Sequence, residues 1–207
     1  MNIVSYNMLH ENNKVNEIIA RLKKTQFSIC CLQGVSPAAY EKLGRVFKCA
    51  GFEAHQNDEV EHGVAILYGP KVVKCSDPPK FKYPLNWRRS KVCCDFIVSD
   101  KILRVMSIYF DQDGPAELDL RKYNQPKLQS LQEIIYYNIS LNYKAAGKID
   151  ALVIAGDINE GVDAVKLRSS RFQLLQDLGY RTVLSNKYPP DKTNWIFCKD
   201  VAEEESI

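Results

Sequence analysis

The residues best suited to chemistry sit at Gly156-Asp157-Ile158-Asn159, directly behind the apolar run Ala151 to Ala155. A short apolar run with β-branched residues and a turn signal behind it predicts a strand buried on both faces. Residues two apart on a strand share a face, so Asp157 and Asn159 are set to point at one spot where that strand surfaces. A carboxylate and an amide converging there suit a metal or a phosphate. The competing reading is a plain strand-end turn, because Asp and Asn favour turns.

A second chemical stretch is Lys80 to Lys91, KFKYPLNWRRSK. It holds Lys80, Lys82, Arg88, Arg89 and Lys91 without an acid, interleaved with Phe81, Tyr83 and Trp87. Single-stranded nucleic acid is bound by this mixture, since bases stack on aromatic rings and cations track phosphates. The alternative is a solvated loop anchored by its aromatics. Asp111-Gln112-Asp113-Gly114 resembles the start of a calcium loop, but Asp119, not a glutamate, comes near its end, so an exposed turn is expected. His10 reads as a loop histidine, with a phosphate-facing role as the alternative. There is no G-x-S-x-G, P-loop or dinucleotide fingerprint.

The elements that must position these residues follow from periodicity. Asn2 to Tyr6 predicts a strand ending at Asn7. Val15, Ile18, Ile19 and Leu22 recur at helical spacing, which predicts a helix capped near Asn12 or Asn13. Phe27 to Leu32 is a second strand, and Ser36-Pro37 starts a helix that Tyr40, Leu43 and Phe47 carry to Gly51. Gly63 to Tyr68, Lys91 to Val98 and Ile102 to Phe110 read as strands, followed by a polar loop from Asp111 to Asn124. A helix is expected over Pro126 to Tyr143, with Leu128, Leu131, Ile135 and Ile139 on one face. Another carries Phe172, Leu175 and Leu178 to a stop at Gly179. Thr193 to Cys198 is a last strand. Residues 1–200 form one α/β layered domain, and 201–207 an acidic tail.

Composition narrows the class. With 45% hydrophobic and 26% charged residues the chain is an ordinary globular sequence, and its net charge of +3 does not by itself mark a nucleic-acid binder. No secretory leader is expected, and no apolar run approaches the ~18 residues of a membrane span. Seven cysteines without a C-x-x-C pair, and only three histidines, argue against structural zinc and for a reducing cytoplasmic or nuclear setting.

In order, these segments resemble the endonuclease/exonuclease/phosphatase superfamily, whose fold is the DNase I-like layered α/β sandwich of two β-sheets flanked by helices. Val4-Ser5-Tyr6-Asn7 is similar to the family's opening strand, and Cys31-Leu32-Gln33-Gly34-Val35 to its L-Q-E-V segment. Gly63 to Leu67 matches the following apolar strand, and Met106 to Phe110 one that ends in a histidine. Gly156-Asp157-Ile158-Asn159 matches the G-D-x-N signature, and Trp195-Ile196-Phe197 the late strand. Arg121 and Gln125 look most like the deadenylase and nocturnin branch.

The resemblance implies a Mg²⁺- or Mn²⁺-dependent phosphodiesterase or nuclease, with Asn7, Tyr109, Asp157 and Asn159 as site residues. Several expected groups differ. The metal-holding glutamate is Gly34, and the histidine is replaced by Tyr109 or Phe110, although abasic-site endonucleases use a tyrosine nearby. The aspartate of the late strand appears as Asn194 or Trp195, and no S-D-H follows. Asp157 is the one inherited carboxylate, and a single carboxylate with amides holds Mg²⁺ poorly. The expectation is a degenerate, inactive or weak homologue that binds single-stranded RNA or DNA, or a protein partner. The alternatives are an active nuclease with a rearranged site, or a subunit completed by another chain in a larger complex. No membrane association is expected.

Overall fold

A computed structural model describes residues 1–8, 11–56, 61–75, 90–109, 149–157, 179–182 and 194–199. The strands are β1 (Ile3–Asn7), β2 (Ile29–Val35), β3 (Lys48–Gln56), β4 (Glu61–Tyr68), β5 (Val73–Lys74), β6 (Ser90–Val98), β7 (Lys101–Tyr109), β8 (Ala151–Asp157), β9 (Arg181–Thr182) and β10 (Asn194–Lys199). The helices are α1 (Val15–Thr25) and α2 (Pro37–Gly44), with a 3₁₀ turn over Asn12–Lys14. One sheet has the order β1-β2-β4-β3 and the other β5-β6-β7-β8-β10-β9.

The alternation of side chains explains the layering. Along β2, Ile29 and Cys31 point into the layer between the sheets, where they join Val64 and Ile66 of β4, Val92, Cys94 and Phe96 of β6, Leu103 and Val105 of β7, and Val153 and Ala155 of β8. The intervening Cys30 and Leu32 face the other way, onto Val15, Ile18 and Leu22 of α1 and Ala39 and Leu43 of α2. Burying such a residue is worth about 1.5–3 kcal/mol, so each face alone is a large stabilising term. The far face of the second sheet is buried as well, at Met106, Ile108, Leu152, Ile154 and Phe197.

Parallel pairing of β1 with β2 follows from α1, which crosses over between them. β7 and β8 are also parallel. Ser99 and Asp100 have φ of 49° and 63°, the left-handed pair that a two-residue hairpin between β6 and β7 demands. Gly156 is required by close approach, because a Cβ there would lie 2.0 Å from the Ile108 carbonyl oxygen.

Two expectations need correction. The helix starting at Ser36 does not run to Gly51: it ends at Gly44, and residues 48–56 form the edge strand β3. Phe47 keeps helical spacing from Tyr40 and Leu43, but it packs beside the helix on Phe27 rather than continuing it. Neither Asn12 nor Asn13 caps α1. The residue before the helix is Lys14, which makes no side-chain cap, while Asn12 is used elsewhere. Ser36 behaves as expected, its Oγ accepting from the Ala39 amide at 3.2 Å. The helices expected over 126–143 and around 172–178, the 111–124 loop and the tail lie outside the described residues, although Gly179 does have a left-handed φ of 84°.

Candidate functional site

The C-terminal ends of four strands meet at one end of the inter-sheet layer, and each carries a polar residue facing inward. Crevices beyond the carboxyl ends of strands are where open α/β sheets take ligands. From the first sheet come Ser5 and Asn7 of β1 and Gln33 of β2, with Asn7 and Gln33 in register. Opposite them lie Ser107 and Tyr109 of β7 and Asp157 of β8, with Tyr109 and Asp157 in register. On its other side β8 pairs through the backbone with β10, Asp157 with Asn194 and Gly156 with Trp195.

Two polar bridges cross the layer here. The Asn7 Nδ2 donates to Asp157 Oδ2 at 2.7 Å, joining positions 150 residues apart. Deeper in, Gln33 Nε2 donates to Ser107 Oγ at 3.2 Å, and Ser107 Oγ donates to the Leu32 carbonyl at 3.3 Å. The Ser5 hydroxyl reaches Gln33 Oε1 at 3.4 Å, so Gln33 has a bond at both ends of its amide. Gln33 and Ser107 are fully buried and Asp157 is 4% exposed, so these bonds offset a desolvation penalty that each group otherwise carries. Tyr109 is half-buried and packs on the inter-sheet core.

Of the expected catalytic residues, Asn7, Tyr109 and Asp157 are therefore brought to one end of the layer. Asn159 lies outside the described residues, as do His10, Asp111, Asp113, Arg121 and Gln125. Lys80, Lys82, Trp87, Arg88 and Arg89 of the basic stretch are outside them too, whereas Lys91 enters β6 with its backbone paired to Ile108. Gln33, Ser107, Ser5 and Asn12 were missed as site residues. A glutamine inside the buried run ICCLQ, and a serine inside VMSIY, are the signals that pointed to them.

Gly34 has φ 62° and forms a bulge, since Gln33 pairs with Val64 and Val35 with Gly63. The described residues supply one carboxylate at this end, Asp157, with Asn7 donating an amide N–H to it. Among the described residues no group of three His, Cys, Asp or Glu side chains can hold a metal ion. Mg²⁺ prefers an octahedral oxygen shell anchored on carboxylates, which the described residues by themselves do not make.

No family model and no curated protein sequence matches the chain. Solved structures do. An endonuclease/exonuclease/phosphatase family protein from Bacteroides thetaiotaomicron superposes with a TM-score of 0.68 at 11% identity, over 95% of this chain and 82% of that one. A mannosyl-6-phosphatase from the same species gives 0.67 at 12% identity, over 95% and 84%. Structurally similar too is D. rerio TDP2 in complex with a single-strand DNA product, at 0.61 and 15% identity, over 95% and 82%. At these identities the likeness is one of fold. The two sheets and their order, with these superpositions, give this chain the DNase I-like α/β sandwich fold.

Proposed function

We propose that this chain is a DNase I-like domain whose phosphodiesterase centre has lost its catalytic metal, and that it acts by binding single-stranded nucleic acid. The observation that carries this reading is the left-handed Gly34 at the position where the resemblance implies a metal-holding glutamate. Among the described residues Asp157 is bonded by the Asn7 amide and belongs to no group of acids that could hold a metal. The binding half of the reading rests on Lys80 to Lys91, with five cations and three aromatics, and on a similar fold having been seen with a single-strand DNA product. The seven cysteines are all free thiols, which agrees with a reducing cytoplasmic or nuclear setting.

The test is binding of labelled single-stranded RNA and DNA followed by anisotropy across a salt series. Arg88→Ala with Arg89→Ala weakens binding and makes the salt slope shallower by about 1–2, since each phosphate left without its cation takes roughly 0.7 off a single-strand slope. Unchanged affinity and slope return the stretch to a solvated loop, and capture of a protein partner instead shifts the reading to a protein-binding domain.

A second reading has one observation in its favour: Asn7, Tyr109 and Asp157 do converge. An active Mg²⁺- or Mn²⁺-dependent nuclease would use these with Asn159, and cleavage that disappears in Asp157→Ala identifies it.

A further inference from the structure

The bulge at Gly34 is held from outside its own strand. Asn12, in the 3₁₀ turn before α1, donates from Nδ2 to the Gly34 carbonyl at 2.8 Å and to the Met8 carbonyl at 3.3 Å. Its Oδ1 accepts from the Ser36 amide at 2.9 Å, the residue that caps α2. Met8 in turn donates its amide to the Gln33 carbonyl at 2.8 Å. One side chain thus ties the end of β1, the bulge of β2 and the start of α2. The effect on the neighbouring side chains is direct. Gln33 faces the inter-sheet layer, and in a regular strand Val35 would share that face. The extra residue turns Val35 instead onto the helix side, where it is fully buried with Leu32 and Leu43.

We propose that Asn12 is a positioning residue that holds Gly34 left-handed, and that this clamp closes the end of β2 to a metal-ligating side chain. Position 34 is then a glycine for its backbone, not merely a glutamate that has been lost. Non-glycine residues enter the left-handed region at a cost, and a β-bulge built on it commits the position. The inference rests on the metal-free reading of the site.

Manganese binding followed by electron paramagnetic resonance, read beside melting temperature, separates the two. Neither the wild type nor Gly34→Glu binds Mn²⁺ saturably, and Mn²⁺ raises the melting temperature of neither. Saturable binding by Gly34→Glu but not by the wild type overturns the clamp and leaves the metal-free reading standing. Saturable binding by the wild type overturns the metal-free reading itself. A double-mutant cycle of Gly34→Ala with Asn12→Ala carries the test even where the glutamate variant does not fold. Gly34→Ala lowers the melting temperature by about 2–6 °C in the wild type, and by less than half as much in the Asn12→Ala background. Asn12→Asp, which keeps the acceptor for Ser36 and loses both donors, behaves in the cycle like Asn12→Ala. Additive effects, or an aspartate that restores the full penalty at Gly34, show that Asn12 does not hold the bulge.

Discussion

Two carboxylates of the second sheet, the part-buried Asp95 and the buried Asp157, are met by different kinds of partner. Asp95 on β6 faces Arg104 on β7 in register, and the pair is bidentate, with Nε to Oδ1 and Nη2 to Oδ2 both at 2.7 Å. Full charge meets full charge within one sheet, and the Arg104 side chain is only 3% exposed. Asp157, at the far end of the same sheet, is met by the neutral amide of Asn7 from the other sheet. The first arrangement locks a hairpin to itself. The second fastens two sheets together at the end where ligands of such folds bind. Asp157 thus has a structural task in joining the sheets that is independent of any metal.

The largest effect that sharpens this contrast is expected at the charged pair. Arg104→Ala strands Asp95 within the protein and costs about 3–5 kcal/mol in urea unfolding, whereas a matched apolar pair at both positions recovers most of it. At the other carboxylate, Asp157→Ala leaves the Asn7 amide without its acceptor, at a cost of about 1–3 kcal/mol. Asp157→Asn costs less than half of that, since an acceptor oxygen remains. Equal costs for the two variants would mean that charge, not the hydrogen bond, matters at position 157.

The deeper bridge behaves differently again. Gln33→Leu alone costs about 1–3 kcal/mol, and adding Ser107→Ala brings the protein back towards wild type, because an apolar pair leaves fewer buried groups unsatisfied. The smallest effect is expected at Tyr6, whose hydroxyl meets Glu11 and accepts from Arg21 Nη1 at 3.1 Å. Burial first, and then the bond to Glu11, push its pKa up from 10 to about 12. The folded state therefore keeps the proton longer than the unfolded chain, so this contribution is complete below pH 10 and is lost as pH rises to about 12. Tyr6→Phe removes that part of the alkaline decline in melting temperature.

Much of the sandwich was legible from local pattern. The apolar runs that became β2, β4, β7 and β8 announce themselves, as does the proline-started α2. The strand β3 was hidden because Phe47 falls in step with Tyr40 and Leu43, and because Gly51 lies within a second bulge, between Cys49 and Gly51. At the site, Asp157 and Asn7 were visible as strand-end polar residues, but their bond joins positions 150 apart, and no window of sequence contains both. Asn12 was misread for the same reason: as a helix-start residue it looks like a cap, and only the fold brings Gly34 to it across 22 positions. Local chemistry was readable; which residue answers which was not.

On the proposed reading the polar end of the sandwich does not run metal-dependent phosphodiester chemistry. Incubating the purified chain with labelled single-stranded RNA and DNA, in Mg²⁺ or Mn²⁺ and beside Asp157→Ala, tests it most directly. No cleavage above that of the variant is expected with either ion; metal-dependent cleavage that vanishes in Asp157→Ala would overturn the metal-free reading.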